Sequence, residues 1–229
     1  MIQHLACQMD GNRRWAKKNG LAFFEGHRKG AQSVRVVTDF CLEQGIRFLS
    51  LYTFSMENFK RSEQEKQFIF DLFVQELNRY QDEVISKGVR VRIIGERTLF
   101  PETVIAACNQ IEHATAHGEK LTVNLLFGYG ARQEITAGVQ QIAREILNGS
   151  LSPDAITYQV IMDHLWTAHT PDPDIIIRTG ARSRLSNFLL LQSSYSEYFF
   201  VDCLWPDLSA QLLEAVLDEF GNRQRNFGA

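Results

Sequence analysis

The sequence predicts an α/β domain with a central, mostly parallel six-stranded sheet flanked by helices, and three observations support that reading. Six short apolar runs recur along the 229 residues, and five are apolar almost without interruption, as strands buried on both faces of a parallel sheet are. Segments of helical periodicity separate these runs, so strand and helix alternate. No linker-like or low-complexity stretch divides the chain, so residues 1–229 are expected to form one domain.

The first strand is read in "HLACQM" from His4, and Asn12 to Arg14 then open a helix. A second helix is expected over 26–45, where Val34, Val37 and Leu42 mark its apolar stripe and Gly45 stops it. "FLSLYTF" from Phe48 is the second strand. Ile69, Leu72, Phe73, Leu77, Tyr80 and Val84 form a helical stripe ending at Gly88, before the third strand, "VRVRIIG" from Val89. Pro101 opens a helix running to Gly118, because proline suits a first helical turn. "LTVNLLF" from Leu121, "DIIIR" from Asp174 and "YFFVD" from Tyr198 complete the strands, with helices expected over 131–148, 157–168 and 209–224.

A hydrophobic fraction of 45% with 22% charged residues excludes a disordered chain. No apolar run approaches the roughly 18 residues of a membrane span, and no signal pattern opens the chain, so a cytoplasmic protein is expected. Cys7, Cys41, Cys108 and Cys203 are scattered without a CxxC pair, which predicts reduced, mostly buried thiols. The net charge of −3 argues against a nucleic-acid partner. Within that acidic total, Arg13, Arg14, Arg61, Arg178, Arg182 and Arg184 all fall near strand ends, where open α/β sheets bind ligands.

Three clusters carry candidate chemistry. In "MDGNRRWA", Asp10 could ligate magnesium, Gly11 would let an anion approach the backbone, and Asn12, Arg13 and Arg14 would face it; alone, the motif equally fits a helix-capping aspartate. In "FSMENFKR", Ser55, Asn58 and Arg61 could hold a diphosphate while Phe59 covers an apolar group, or they could be a helix cap with a surface charge. In "IIIRTGARSRLSNF", Arg178, Arg182 and Arg184 crowd beside Ser186, as a phosphate site or a solvated basic loop. Glu197 is either a second acid for a metal or a salt-bridge partner. His113 and His117 lack the glutamate of a zinc helix, and no GxxxxGK[ST], GxGxxG or GxSxG occurs. One carboxylate, several arginines and no nucleophile suit binding diphosphates and stabilising their departure.

With "GHRKGA" and "SEYFFVDCLWPD", these motifs in this order resemble the cis-prenyltransferases from His4 to the C-terminal "RNFGA". The resemblance implies a homodimeric α/β enzyme that extends an allylic diphosphate, usually farnesyl diphosphate, with isopentenyl diphosphate through cis double bonds. It implies magnesium at Asp10, with Glu197 as a further metal-associated acid. Gly11, Asn12, Arg13, Arg14, Trp15 and His27 would hold the allylic diphosphate. Ser55, Met56, Glu57, Phe59 and Arg61 would be substrate contacts, with Asn58 at the position assigned as proton acceptor. Arg178, Arg184, Leu185 and Ser186 would hold isopentenyl diphosphate. The product would be of roughly undecaprenyl length, a lipid carrier for cell-wall glycans, in a tunnel walled by the second strand and the 69–84 helix; its release would bring transient membrane contact.

The chain departs from the family pattern in places. Phe23 stands where an arginine usually precedes the histidine by four residues, Arg182 replaces a glutamate, Ala181 a glycine, Gly128 an asparagine and Phe59 a tryptophan. Phe23 and Arg182 motivate an alternative, a short-chain or irregular prenyl coupling enzyme. A non-catalytic partner subunit is a further alternative, against which stands the intact Asp10 motif.

Overall fold

The computed structural model describes residues 2–223. Six strands, β1 (His4–Gln8), β2 (Phe48–Ser55), β3 (Val89–Ile94), β4 (Leu121–Tyr129), β5 (Ile175–Arg178) and β6 (Glu197–Phe200), form one sheet in the order β3-β4-β2-β1-β5-β6. Every neighbouring pair is parallel, so the sheet is wholly rather than mostly parallel. The helices are α1 (Asn12–Lys18), α2 (Phe23–Glu43), α3 (Glu63–Ser86), α4 (Glu102–Ala114), α5 (Ala131–Leu147), α6 (Tyr158–Asp163) and α7 (Ala210–Asn222). Among the described residues no helix is long and apolar enough to cross a membrane.

Side chains alternate between the sheet faces along each strand, and here the alternation separates two environments. Leu5, Cys7, Leu49, Leu51, Ile175 and Ile177 join α2, α3, α4 and α7 in the main core. Ala6 and Ile176 face the other way, with Tyr129, Phe188 and Leu189. That second face also carries polar groups: His4, Gln8, Ser50, Asn124 and Arg178 are all buried. Glycine governs how closely the helices pack on the main face. A Cβ on Gly26 would lie 2.0 Å from the Asn12 carbonyl oxygen, and one on Gly30 2.3 Å from Asn12 Oδ1, so only glycine lets α2 lie against the start of α1. Trp205 Nε1–H donates to the Gly30 carbonyl (2.8 Å) and closes the packing from the third side.

Element boundaries differ from expectation where local signals are weak. α2 begins at Phe23 rather than at residue 26, because its N-cap is Ala22, which offers no capping side chain to read. α6 fills only part of 157–168, and the segment after it turns through His169 at φ 67°. β6 begins at Glu197 and ends at Phe200, since its partner β5 offers only four residues. Residue 224 of the expected last helix and the "RNFGA" segment lie outside the described residues. Cys7, Cys41 and Cys108 are buried and Cys203 half-buried, all as free thiols.

His4 is sealed beneath the second face, with its ring nitrogens at 2.6 Å from the Pro171 carbonyl and 2.8 Å from Ser50 Oγ. Burial lowers its pKa from 6.5 to about 4, against the opposing effects of Pro171 and Asp174. The unfolded chain therefore takes up this proton first, and the stability it provides is complete above pH 6.5 and lost as pH falls toward 4. Denaturant titrations should show a loss of about 2 kcal/mol from this group between pH 7 and pH 5, and His4→Gln should flatten that part of the profile; an equal slope in both proteins would exclude the assignment.

Candidate active site

Strands β1, β2 and β5 end side by side, and their register puts Gln8 level with both Tyr52 and Arg178. All three project on the second face, so alternation along the strands assembles a polar floor at the carboxyl edge of the sheet. Just beyond it, Asp10 accepts from Arg14 Nη2 at 2.9 Å through Oδ1 and from Arg178 Nη2 at 3.0 Å through Oδ2. The Asp10 carbonyl accepts from Thr179 Oγ1 (2.7 Å) and the Trp205 amide (3.1 Å). Gly11 follows at φ 127°, a conformation open to glycine, and turns the chain into α1. With seven residues, α1 is too short for its dipole to hold an anion; the positive charge comes from guanidinium groups.

Arg178 is buried and fully engaged along one edge. Its Nη1 donates to Ser186 Oγ at 2.8 Å, to Gln8 Oε1 at 3.2 Å and to the Arg184 carbonyl, while Gln8 Nε2 donates to the Leu185 carbonyl. The crowded arginines of this loop thus have a nearby acid after all, Asp10. Ala181, Ser186, Asn187 and Leu189 all have positive φ, between 44° and 66°, and such strain in non-glycine residues gathers where a ligand loop is over-determined. Arg182 and Arg184 are exposed, and Arg184 Nε donates to Ser186 Oγ at 3.2 Å on the rim of the site.

The second cluster is a 3-10 turn, Met56–Lys60, in which Ser55 and Asn58 cap each other; Asn58 Oδ1 accepts from the Ser55 amide at 3.1 Å. Glu57 accepts from Asn187 Nδ2 at 2.9 Å and ties this turn to the arginine loop. Phe59 turns inward to Phe54, Phe70 and Phe100, and so serves as core. Arg61 reaches Glu65 (3.2 Å), which also meets Arg13 and His27, each at 3.8 Å. Glu65 is a buried carboxylate that organises three cations or potential cations, and its position one turn after Arg61 is the one signal by which the sequence announces it. His27 has its pKa lowered to about 4 by burial, then by Arg61 and Arg13, so its imidazole is neutral at pH 7.

Two cavities meet here. The polar one is lined by Gln8, Asp10, Ser55, Asn58, Arg61, Arg132, Arg178 and Ser186. The other is apolar, about 180 Å³, and runs between α2, α3 and the main face of the sheet, past Asn12, His27, Thr53, Phe73, Leu77 and Phe127. Met9, at the end of β1, lines both. Among the described residues, six buried side-chain polar atoms lack a hydrogen-bond partner, and four belong to Asn12, His27, Glu65 and Arg178 around this junction. Such atoms are rarely left unpaired; His27 Nε2 and Glu65 Oε1 face each other at 3.8 Å, and water, an ion or a polar ligand at the junction would satisfy the set.

Most of the sequence-derived residues therefore converge. Arg132, at the start of α5, was missed, although it too follows the carboxyl end of a strand. Trp15 anchors α1 by donating to Asp207 Oδ1 at 2.7 Å. Glu197 is not brought to Asp10: its register with Ile175, and hence with Leu5, sets it at the amino edge of the sheet, on the order of 15 Å away. There it pairs with Arg223 at 2.7 Å, the salt-bridge alternative. Phe23, in place of an arginine, packs edge-on against His27 and Phe68. No group of three or more metal-ligating side chains occurs among the described residues. A single carboxylate at a diphosphate-sized cationic site fits magnesium that arrives with phosphate oxygens, rather than a resident ion in an all-protein cage.

The family model described as "Putative undecaprenyl diphosphate synthase" matches residues 8–228. A farnesyl-diphosphate-specific ditrans,polycis-undecaprenyl-diphosphate synthase of Xylella fastidiosa is 38% identical over 226 residues, 99% of this chain and 89% of that one. A geranylgeranyl-diphosphate-specific tritrans,polycis-undecaprenyl-diphosphate synthase of Thermococcus kodakarensis is 40% identical over 228 residues, 99% of this chain and 86% of that one. The crystal structure of lavandulyl diphosphate synthase from Lavandula x intermedia, in complex with dimethylallyl diphosphate, superposes with a TM-score of 0.97 at 30% identity, covering 100% of this chain and 98% of that one.

Inorganic pyrophosphate should test the cationic junction directly. Burial is the main cause of the low His27 pKa and Arg61 and Arg13 the lesser ones; anion binding beside the two arginines offsets the lesser part, so the pKa, followed by NMR of the imidazole, should rise above about 4. A titration unmoved by saturating pyrophosphate would separate His27 from the anion site.

Proposed function

Because this chain belongs to the undecaprenyl diphosphate synthase family of prenyltransferases, we propose that it extends farnesyl diphosphate with isopentenyl diphosphate units to a medium-chain, undecaprenyl-like cis-polyprenyl diphosphate. The observation that carries this reading is the meeting of an apolar tunnel with a cationic pocket at Met9. An allylic diphosphate has those two halves, a hydrocarbon tail and a dianionic or trianionic head, in that order.

Arg13, Arg14, Arg61 and His27 are suited to the allylic diphosphate, and Arg178, Arg184, Ser186 and Arg132 to isopentenyl diphosphate. The allylic C–O bond breaks with its electron pair passing to the diphosphate, whose growing charge the guanidinium groups stabilise. The alkene of isopentenyl diphosphate then forms the new C–C bond, and the resulting cation loses a proton. Asn58 is a weak base whose Oδ1 already accepts the Ser55 amide, so it orients the substrate while a diphosphate oxygen takes the proton. Magnesium held by Asp10 would supply further positive charge to the departing diphosphate. A homodimer is supported by exposed apolar side chains at the β6 edge of the sheet, Phe200 on the strand itself and Leu190 and Tyr195 in the segment that leads into it. A cell-wall lipid carrier made in the cytoplasm, with transient membrane contact at release, follows from this reading.

A second reading, coupling of two short allylic diphosphates, is favoured by the small volume of the tunnel and by the Phe23, Phe24 and Phe68 ring contacts beside His27. Incubation with labelled isopentenyl diphosphate, magnesium and, separately, dimethylallyl, geranyl or farnesyl diphosphate separates the two. Long products from farnesyl diphosphate are expected; ten-carbon products from dimethylallyl diphosphate alone would move the assignment to coupling. Asp10→Asn should lower turnover about 100-fold or more, and near-normal turnover would remove its role. Arg184→Ala, an exposed change that should leave the melting temperature unaltered, is expected to raise the KM for isopentenyl diphosphate about tenfold. An unchanged KM would exclude that contact.

A further inference from the structure

The tunnel is small for the product assigned to it. Pockets that bury drug-sized ligands run from about 300 to 1,000 Å³, and a chain of many isoprene units needs at least that, against about 180 Å³ here. A long product must therefore extend past the distal end, and the structure gives that end an unusual construction. Arg35 and Asp39 lie one turn apart on α2, and Glu83 and Lys87 one turn apart at the end of α3. Arg35 pairs with Glu83 at 2.8 Å, Glu83 with Lys87 at 2.7 Å, and Lys87 with Asp39 at 2.5 Å. The Arg35 guanidinium also lies 4.9 Å from the centre of the Tyr80 ring. Four charges thus lace α2 to α3 across a mostly apolar passage, and all four line it, with Glu76 and Thr38 as further polar groups on the same two helices.

Beyond this lacing is an open depression at the amino edge of the sheet, lined by Leu42, Glu43, Arg47, Ser86 and Lys120. Asp39 and Lys87 are the two residues common to the tunnel and the depression, so their ion pair is the partition between them. Resting on the reading above, we infer that the Lys87–Asp39 pair is a distal gate of the hydrocarbon tunnel and a determinant of product length. The pair is partly exposed, with side-chain exposures of 32% and 41%, and ion pairs of this kind are weak. Burial of another five-carbon unit is a stronger effect than one such contact. The gate therefore yields to a growing chain as a soft limit, not a wall.

Three properties of the full-length protein test this. In chain-elongation assays, Asp39→Asn and Lys87→Gln should each shift the product distribution to longer chains, and raising ionic strength should lengthen the products of the unaltered protein more than those of the variants. The double exchange Asp39→Lys with Lys87→Asp, which rebuilds the pair with reversed charge, should return the distribution toward the original, an outcome that simple damage to α2 or α3 would not produce. Binding supplies a readout that needs no turnover: Asp39→Asn should tighten long-chain polyprenyl diphosphate by about two- to fivefold while leaving farnesyl diphosphate unchanged. Failure to elongate any primer would overturn the elongation reading, and the affinity ratio would still judge the gate. Equal affinity ratios in Asp39→Asn and the unaltered protein, or identical product lengths in a protein that does elongate, would overturn the gate.

Discussion

The carboxylate of Asp10, held between Arg14 and Arg178, is the contact on which the arrangement of the site depends. Arg178 is nearly inaccessible, and a buried guanidinium without a partner is strongly destabilising. Asp10 supplies that partner, and Gln8, Ser186 and the Arg184 carbonyl take up other guanidinium hydrogens. The same carboxylate keeps Arg14 over the Gly180 carbonyl, which it reaches at 2.7 Å. One charged group therefore joins the first strand end and the first helix, which are adjacent in the chain, to the arginine loop 168 residues further on. When an anion enters, these guanidinium groups are already assembled, and little ordering is left to be done at binding.

The parallel sheet imposes a second constraint. Strands that end at the same edge and alternate in facing can offer a dry surface on one side and a polar one on the other within a few ångströms, and the irregularity in β2 after Tyr52 turns Phe54 to the dry side as well. Leu5 and Cys7 contribute to the first, while Ala6 leaves room on the second for Gln8 and Arg178. A substrate with a hydrocarbon tail and a charged head needs both environments at one point, and the end of β1 provides it. The close glycine contacts of α2 with Asn12 bring the tunnel wall to the same point.

Much of this was legible in the amino-acid sequence, for reasons that particular residues make clear. Uninterrupted apolar runs mark buried parallel strands, and Asp10, Ser55 and Arg178 stand directly after three of them, so the rule that ligands gather at strand carboxyl ends found the site. The pattern failed where a role depends on distant contacts. Glu65 reads as one of several acids at a helix start, and nothing local tells that Arg13, His27 and Arg61 will close on it. Glu197 shares a motif with site residues, yet strand register carries it to the opposite edge. Phe59 reads as a substrate cover, but the depth of the aromatic cluster beneath it was not visible until Phe70, Phe100 and Phe127 were packed together.

The tunnel occupies ground that most domains of this size fill with their own side chains. Val123, Leu125, Phe127 and Phe73 serve at once as core and as lining, so a bound hydrocarbon acts as an exchangeable part of the protein interior. Ligand-free protein is consequently the under-packed, less stable form, and every chain that fills the tunnel stabilises the fold by mass action. Retention and turnover then oppose each other: the better a finished lipid completes the interior, the more slowly it leaves. On the elongation reading, turnover is fastest where an acceptor takes the lipid away, and the melting temperature rises with the share of tunnels that are filled.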